Sequence, residues 1–71
     1  MRHFIEELEE LQRGLLQMGG LVEAAIHDSI ASVVERDQAK ARRVLLSEAR
    51  VNTMEIENDE AATRLLALHQ P

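Results

Sequence analysis

The 71-residue chain contains no cysteine, tryptophan or tyrosine, and it has one phenylalanine, Phe4, and one proline, Pro71. Without cysteine, neither disulfide bonds nor thiolate metal sites can stabilise so short a chain. A chain of this size buries only ~60% of the surface that its unfolded form exposes. Packing against further helices, from the same chain or from a partner chain, must therefore supply the missing stability.

Other absences narrow the class of protein. The net charge of -5, from 8 basic and 13 acidic residues, argues against a general nucleic-acid binder. No apolar run approaches the ~20 residues that a membrane-spanning helix needs. The acidic start of the chain does not fit a secretory signal. We therefore expect no nucleic-acid partner, no membrane insertion and a cytoplasmic location.

What the chain does contain is typical of long helices, because Ala, Leu, Glu, Arg and Val dominate it. In its first half, apolar or small residues recur at alternating intervals of four and three, which is a heptad repeat. This repeat predicts a first helix at about 3–35. Its seam consists of Phe4, Leu8, Leu11, Leu15, Met18, Val22, Ala25, Ser29 and Ser32, and Ile5, Leu16, Ile26, Ile30 and Val33 widen the apolar stripe beside it.

The repeat resets at Arg36 and Asp37, where Asp37 is suited to cap the start of a second helix at about 38–69, before Pro71. A turn this short makes the helices antiparallel neighbours. The seam of the second helix consists of Val44, Val51, Met54, Ala61, Leu65 and Leu68, with Leu45 and Leu66 beside it.

The sequence thus predicts an all-α fold, a long antiparallel hairpin of two helices each on the order of 45 Å long. Such a pair has no interior of its own. Either one further helix completes a three-helix bundle, or a second hairpin completes a four-helix bundle as a homodimer.

Gly14, Gly19 and Gly20 interrupt the helical composition of the first helix. Because the heptad phase continues unshifted past Gly19 and Gly20, we expect the helix to continue through them. Close approach of a neighbouring backbone, or a mild kink, is the preferred explanation. A phosphate-binding loop would need a preceding strand, which the pattern does not contain.

A polar row follows the apolar seam of the second helix, at Glu48, Asn52, Glu55 and Asp59. Three explanations fit such a row: it faces solvent, it meets basic residues of a neighbour, or it binds a cation. Glu55 and Asp59, spaced by four, are the candidate metal ligands, although one helix cannot complete a metal site.

No catalytic residues are predicted. The histidines, His3, His27 and His69, lack zinc or di-iron spacing and are interpreted as surface residues. The serines lack a base at fixed spacing, and the chain has no cysteine nucleophile. We therefore expect a protein that is not an enzyme.

Basic residues concentrate near the turn, whereas the start of the first helix is acidic. A solvated, charge-balanced tip is one explanation, and a docking surface for an acidic partner is the other. The basic residues near the turn are Arg36, Lys40, Arg42, Arg43 and Arg50.

Several stretches together resemble one known family. Residues 15–23 (LLQMGGLVE) resemble the MGG-V-E signature of PhoU-type phosphate-uptake regulators, and residues 35–37 (ERD) resemble the family's first turn. Residues 51–60 (VNTMEIENDE) and 64–71 (RLLALHQP) are similar to the family's VN-x-x-E-x-x-x-DE helix and its closing QP. The similarity runs in order over nearly the whole chain.

The resemblance implies that residues 1–71 form an incomplete PhoU-like domain, the first two helices of a three-helix bundle. It also implies a non-enzymatic role in phosphate uptake and in repression of phosphate-regulated genes, through contacts with a phosphate ABC transporter ATPase and a sensor histidine kinase. Iron or zinc is the implied metal of the longer family members, with Glu55 and Asp59 as the matching residues here. The alternatives are a generic oligomerisation hairpin and a carboxylate-bridged metalloprotein.

Overall fold

The computed structural model describes residues 2–70 and consists of two helices, α1 at Arg2–Glu35 and α2 at Gln38–Leu68. They run antiparallel along a molecule whose Cα atoms span 53 × 15 × 14 Å. The predicted all-α hairpin is thereby confirmed. The second helix stops one residue earlier than the sequence indicates, and His69 forms its C-cap. The role predicted for Pro71 lies outside the described residues.

The turn needs only Arg36 and Asp37, because Asp37 serves both helices. Its backbone N–H donates to the Ser32 carbonyl at 3.0 Å, while Arg36 adopts a positive φ of 53°. This is the Schellman arrangement that satisfies the last carbonyls of a helix. The Asp37 carboxylate then accepts from the backbone N–H groups of Ala39 (2.9 Å) and Lys40 (3.2 Å), which confirms the predicted cap.

The two helices meet along a seam that is only half closed. Leu65 is the one core residue of the described chain that is buried, at 7% exposure, and the other seam residues are half-buried. On α1 the half-buried seam residues are Phe4, Glu7, Leu11, Gly14, Met18, Leu21, Ala25, Asp28 and Ser32, and on α2 they are Lys40, Val44, Ser47, Val51, Met54, Asn58 and Ala61.

This seam differs from the predicted one at every second position of α1. The structure confirms the predicted seam residues that follow one another at intervals of seven, among them Phe4, Leu11 and Met18. Between them, however, the structure turns Glu7, Gly14, Leu21 and Asp28 towards α2. The predicted seam residues Leu8, Leu15 and Val22 stay exposed, and so does Leu68 of α2. The reason is that α1 has an apolar stripe wider than one neighbour can cover, and α2 packs along one margin of it.

The glycines of α1 behave differently from one another. The helix continues through Gly19 and Gly20, as predicted, but no atom within the described chain lies within 4 Å of where a Cβ would sit on either residue. The predicted close approach at this pair is therefore wrong for the contact between α1 and α2. At Gly14 a side chain rather than a backbone comes close, because an added Cβ would clash with Asn58 Oδ1 and lie 3.3 Å from Asn58 Cγ.

Candidate partner-binding face

One broad side of the hairpin carries most of its exposed apolar residues, and we call it the open face. Its members flank the seam on the same side of both helices, so α1 and α2 present them together. A shallow groove lined by Val22, Ile26 and Ser29 of α1 and Glu48 of α2 shows this directly. The open face comprises Ile5, Leu8, Gln12, Leu15, Gly19, Val22, Ile26, Ser29 and Val33 of α1 and Leu45, Glu48, Asn52, Glu55, Asp59, Ala62 and Leu66 of α2.

The α1 half of the open face is almost wholly apolar. Leu15 is 46% exposed and Ile26 is 57% exposed, and Val33 is still more accessible. A contiguous apolar strip of this kind on a protein surface marks an interaction site. The α1 half therefore indicates that another helix or chain packs here.

The α2 half of the open face is apolar at its ends and acidic in its middle. The predicted polar row of Glu48, Asn52, Glu55 and Asp59 lies here, and all four residues are exposed. Among residues 2–70, none of the three carboxylates forms an ion pair within 4.0 Å. The row therefore faces outwards, towards whatever covers the open face.

The predicted metal ligands, Glu55 and Asp59, lie one helical turn apart within this row. Two carboxylates at this spacing on one helix supply oxygen ligands to a cation. Over the part of the chain that the structure describes, however, no group of three His, Cys, Asp or Glu side chains comes together in a way that could hold a metal ion. The fold thus does not bring further ligands to this pair.

The opposite side of the hairpin is mainly polar, although Leu46 is exposed on it. A shallow depression there is lined by His3, Glu10 and Arg64, with Asn58 and Ala61 at its floor. Arg43, Arg50 and Glu57 occupy the equivalent positions further along α2 and are exposed. The two broad sides therefore differ in character, and only the open face is apolar enough for a packed partner.

Charge also differs between the two ends of the hairpin. At the turn, Lys40 Nζ donates to both carboxylate oxygens of Glu35, at 2.8 and 3.0 Å. The hydrogen bond to Glu35 raises the pKa of Lys40, and the negative charges of Glu35 and Asp37 add to the effect. The Glu35 partner neutralises Lys40, whereas the exposed Arg42 and Arg43 leave the turn end basic. The other end carries the acidic residues Glu6, Glu7, Glu9, Glu10 and Glu60.

The acidic end contains a cluster that sequence reasoning missed. Glu7 Oε1 lies 2.9 Å from His3 Nε2, and Glu7 Oε2 lies 3.9 Å from His69 Nε2. The ring of His69 also stacks edge-on against Phe4, with 4.7 Å between the ring centroids. His3 and Glu7 are four residues apart, a spacing visible in the sequence, but only the hairpin brings His69 back to them. Through these contacts, the end of α2 packs against the start of α1.

Two hydroxyl groups of α1 are engaged by their own helix. Ser29 Oγ donates to the Ala25 carbonyl at 2.7 Å, and Ser32 Oγ donates to the Ser29 carbonyl at 2.8 Å. Such bonds back to the helix are an ordinary use of serine in helices.

Across the described residues, neither helix is both long and apolar enough to cross a membrane.

Comparison with known proteins gives consistent results. Residues 15–71 match the family model described as the PhoU domain. The phosphate-specific transport system accessory protein PhoU of Serratia marcescens is 41% identical over 68 residues, which cover 96% of this chain and 28% of the relative. The PhoU homolog of Pseudomonas putida is 40% identical over 70 residues, covering 99% of this chain and 27% of the relative.

A third relative gives the same result. PhoU homolog 2 of Thermotoga maritima is 39% identical over 66 residues, or 93% of this chain and 28% of the relative. The chain thus spans less than a third of the length of these curated relatives. No solved structure matches it.

Proposed function

This chain belongs to the PhoU domain family, and from that membership we propose that it acts in the regulation of phosphate transport as a non-enzymatic, protein-binding module. The observation that carries the proposal is the alignment of nearly the whole chain with proteins named accessory to a phosphate-specific transport system. The open face supports it, because an apolar strip on a hairpin is a surface for binding another helix rather than for catalysis.

The finer proposal concerns the partners. We propose that the chain contacts the ATPase of a phosphate ABC transporter and a sensor histidine kinase. The basic turn end, with Arg42 and Arg43 exposed, is the surface of the described chain best suited to an acidic partner. The open face is the surface suited to helical packing.

A segment exchange tests this function. The 68 residues of this chain that align with the Serratia marcescens relative replace the matching segment of that relative, and the chimera is expressed in cells that lack their own PhoU. We expect a phosphate-responsive reporter to be repressed in high phosphate and released in low phosphate. A chimera that is folded and abundant but leaves the reporter unrepressed in high phosphate would contradict the proposal.

A matched pair of variants separates binding at the turn end from folding. Arg42→Glu/Arg43→Glu in the chimera reverses two exposed charges at the turn, whereas Arg13→Glu/Arg64→Glu reverses two exposed charges away from it. We expect only the first pair to weaken co-purification of the chimera with the transporter ATPase. Equal loss from both pairs would mean that the turn end is not the contact.

We also propose Glu55 and Asp59 as two ligands of an iron or zinc ion whose other ligands lie outside this chain. Both side chains are exposed on one face of α2, and carboxylate oxygen is an acceptable ligand for either metal. A bound cation would neutralise the middle of the polar row. Zinc titration of the chimera by calorimetry should show binding that Glu55→Gln/Asp59→Asn abolishes. Glu6→Gln/Glu10→Gln, the same charge removal at the same spacing on α1, should not affect it.

A further inference from the structure

Basic residues collect in one stretch of an otherwise acidic chain. The net charge is -5, yet residues 36–50 contain five basic and two acidic residues. Of the five, Lys40 is engaged by Glu35. Over residues 2–70, no carboxylate lies within 4.0 Å of the other four, which are Arg36, Arg42, Arg43 and Arg50. Their guanidinium groups are therefore available to a partner.

Two of these arginines flank an exposed leucine on the mainly polar side of α2. Arg43, Leu46 and Arg50 follow one another at intervals of three and four, so they lie on one face of the helix. The Leu46 side chain is 73% exposed. We call these three residues the arginine–leucine strip. It places an uncovered apolar side chain between two positive charges that lie about 10 Å apart along the helix.

The hairpin itself does not neutralise this strip. The nearest acidic residue of the seam on this side, Asp28, is half-buried, and it forms no ion pair within 4.0 Å with any described residue. The open face lies on the other side of the hairpin. A helix that covers the open face therefore leaves the arginine–leucine strip exposed.

We propose that the arginine–leucine strip binds an acidic segment of a partner protein, in which two carboxylates meet Arg43 and Arg50 and one apolar side chain covers Leu46. The planar guanidinium group matches a carboxylate with two parallel hydrogen bonds. A strip of this size suits a weak, reversible contact rather than a large packed interface. The inference rests on the proposed protein-binding role, and it adds the position of the site and the chemistry of the bound segment.

The charge pattern of α2 favours an acidic protein segment over a lipid surface or a nucleic acid. Anionic membranes attract clusters of about four to eight basic residues, whereas the sign of the charge reverses two turns after Arg50, where Glu57 is exposed on the same side. An extended polyanion would meet this carboxylate as well as the arginines. A short acidic segment meets the arginines alone, so charge complementarity is better.

A labelled peptide tests the proposal on the chimera with the Serratia marcescens relative. The peptide is a fluorescein-labelled synthetic helix with two glutamates seven residues apart and one leucine between them on the same face. We expect fluorescence anisotropy to show binding that high salt weakens. The same peptide with lysines in place of the glutamates should not bind. Equal binding of the two peptides would overturn the proposal.

Two matched pairs of variants assign the binding to the strip. Arg50→Glu should weaken peptide binding about tenfold, whereas Arg64→Glu, at another exposed arginine on the same side of α2, should change it less than about twofold. Leu46→Ser should weaken binding several-fold. Leu16→Ser should not, although Leu16 on α1 is 76% exposed. Effects of equal size within either pair would overturn the proposal.

Vesicles of phosphatidylglycerol provide the competing ligand. We expect the chimera not to sediment with them. Sedimentation with these vesicles that Arg50→Glu abolishes, together with no binding of the acidic peptide, would overturn the proposal in favour of an anionic lipid surface.

The phosphate-responsive reporter separates failure of this inference from failure of the proposed function. Leu46→Ser/Arg50→Glu in the chimera should leave the reporter partly unrepressed in high phosphate. Normal repression by this variant would overturn the inference and leave the proposed function intact. If the chimera without these substitutions fails to repress the reporter, the proposed function is wrong, and the peptide affinities of the Leu46→Ser and Leu16→Ser variants still decide whether the strip binds an acidic segment.

Discussion

The side chain of Asn58 on α2 lies directly over Gly14 on α1, and its amide reaches Met18 Sδ at 3.9 Å. The missing side chain at residue 14 is what allows this amide to sit in the seam between the two helices. The glycine and the asparagine therefore form one packing unit.

Replacement of Gly14 by alanine should show that the packing of Asn58 depends on the missing side chain at residue 14. In an open helix, Gly→Ala stabilises by ~1 kcal/mol, and we expect that gain for Gly20→Ala, where no atom meets the new Cβ. At Gly14 the new methyl group displaces Asn58, so Gly14→Ala should be at least ~1 kcal/mol less favourable than Gly20→Ala. Urea unfolding at one protein concentration measures both variants.

A double mutant checks the cause. In the Asn58→Ala background the obstacle is gone, and Gly14→Ala should then recover most of the ~1 kcal/mol gain. If Gly14→Ala is equally stabilising in both backgrounds, Asn58 and Gly14 are not coupled.

Arg36 offers a second prediction, because it is the only described non-glycine residue with positive φ. An L-residue in the left-handed region costs ~1–2 kcal/mol relative to an allowed conformation, and glycine avoids most of this cost. Arg36→Gly should therefore raise the free energy of unfolding by about 1 kcal/mol. The same substitution within α2, Arg42→Gly, should lower it by a similar amount. Thermal unfolding followed by circular dichroism distinguishes the opposite signs.

Asp37 gives a third prediction. Its carboxylate accepts from the first free N–H groups of α2, so Asp37→Ala should cost ~1 kcal/mol, within a range of about 0.5–2. Asp37→Asn keeps an acceptor oxygen, so it should lose much less stability than Asp37→Ala. Failure of asparagine to restore stability would mean that the carboxylate acts through its charge rather than as a cap.

The Lys40–Glu35 pair gives a prediction for pH. The folded pKa of Lys40 lies above its ordinary value of 10.5, mainly because of its hydrogen bond to Glu35. A raised folded pKa means that the stabilisation is complete below pH 10.5 and is lost as the pH rises through the higher folded value. Lys40→Gln should therefore lower the melting temperature slightly at pH 7 and have no effect once the pH is well above the raised pKa of Lys40. Because Glu35 is exposed and Lys40 is only half-buried, high salt should also reduce the difference.

The local structure of the hairpin was predictable from the sequence in some detail. The heptad spacing indicated both helices, and the carboxylate at Asp37 indicated where the second one begins. The left-handed conformation of Arg36 was not predictable, because arginine has no preference for it and only the need to turn the chain in two residues imposes it. The phase of the heptad repeat correctly predicted that the helix continues through Gly19 and Gly20.

The candidate site was predicted only in part. The polar row and its members Glu55 and Asp59 were visible as a spacing, and the structure shows that the row is exposed beside an apolar strip. Whether a metal binds there stays a prediction. The cluster of His3, Glu7 and His69 was missed, because its members come from opposite ends of the chain.

By itself, the sequence determined that the chain forms two helices, where they turn and to which family they belong. These properties depend on short-range periodicity, on a capping side chain and on an ordered series of motifs. Only the tertiary structure decided which margin of the wide apolar stripe on α1 meets α2. It thereby placed Gly14 under Asn58 and left Leu15, Gly19 and Val22 uncovered. Helical periodicity fixes which residues share a face, but the rotation of one helix against another depends on how the side chains of both helices fit together.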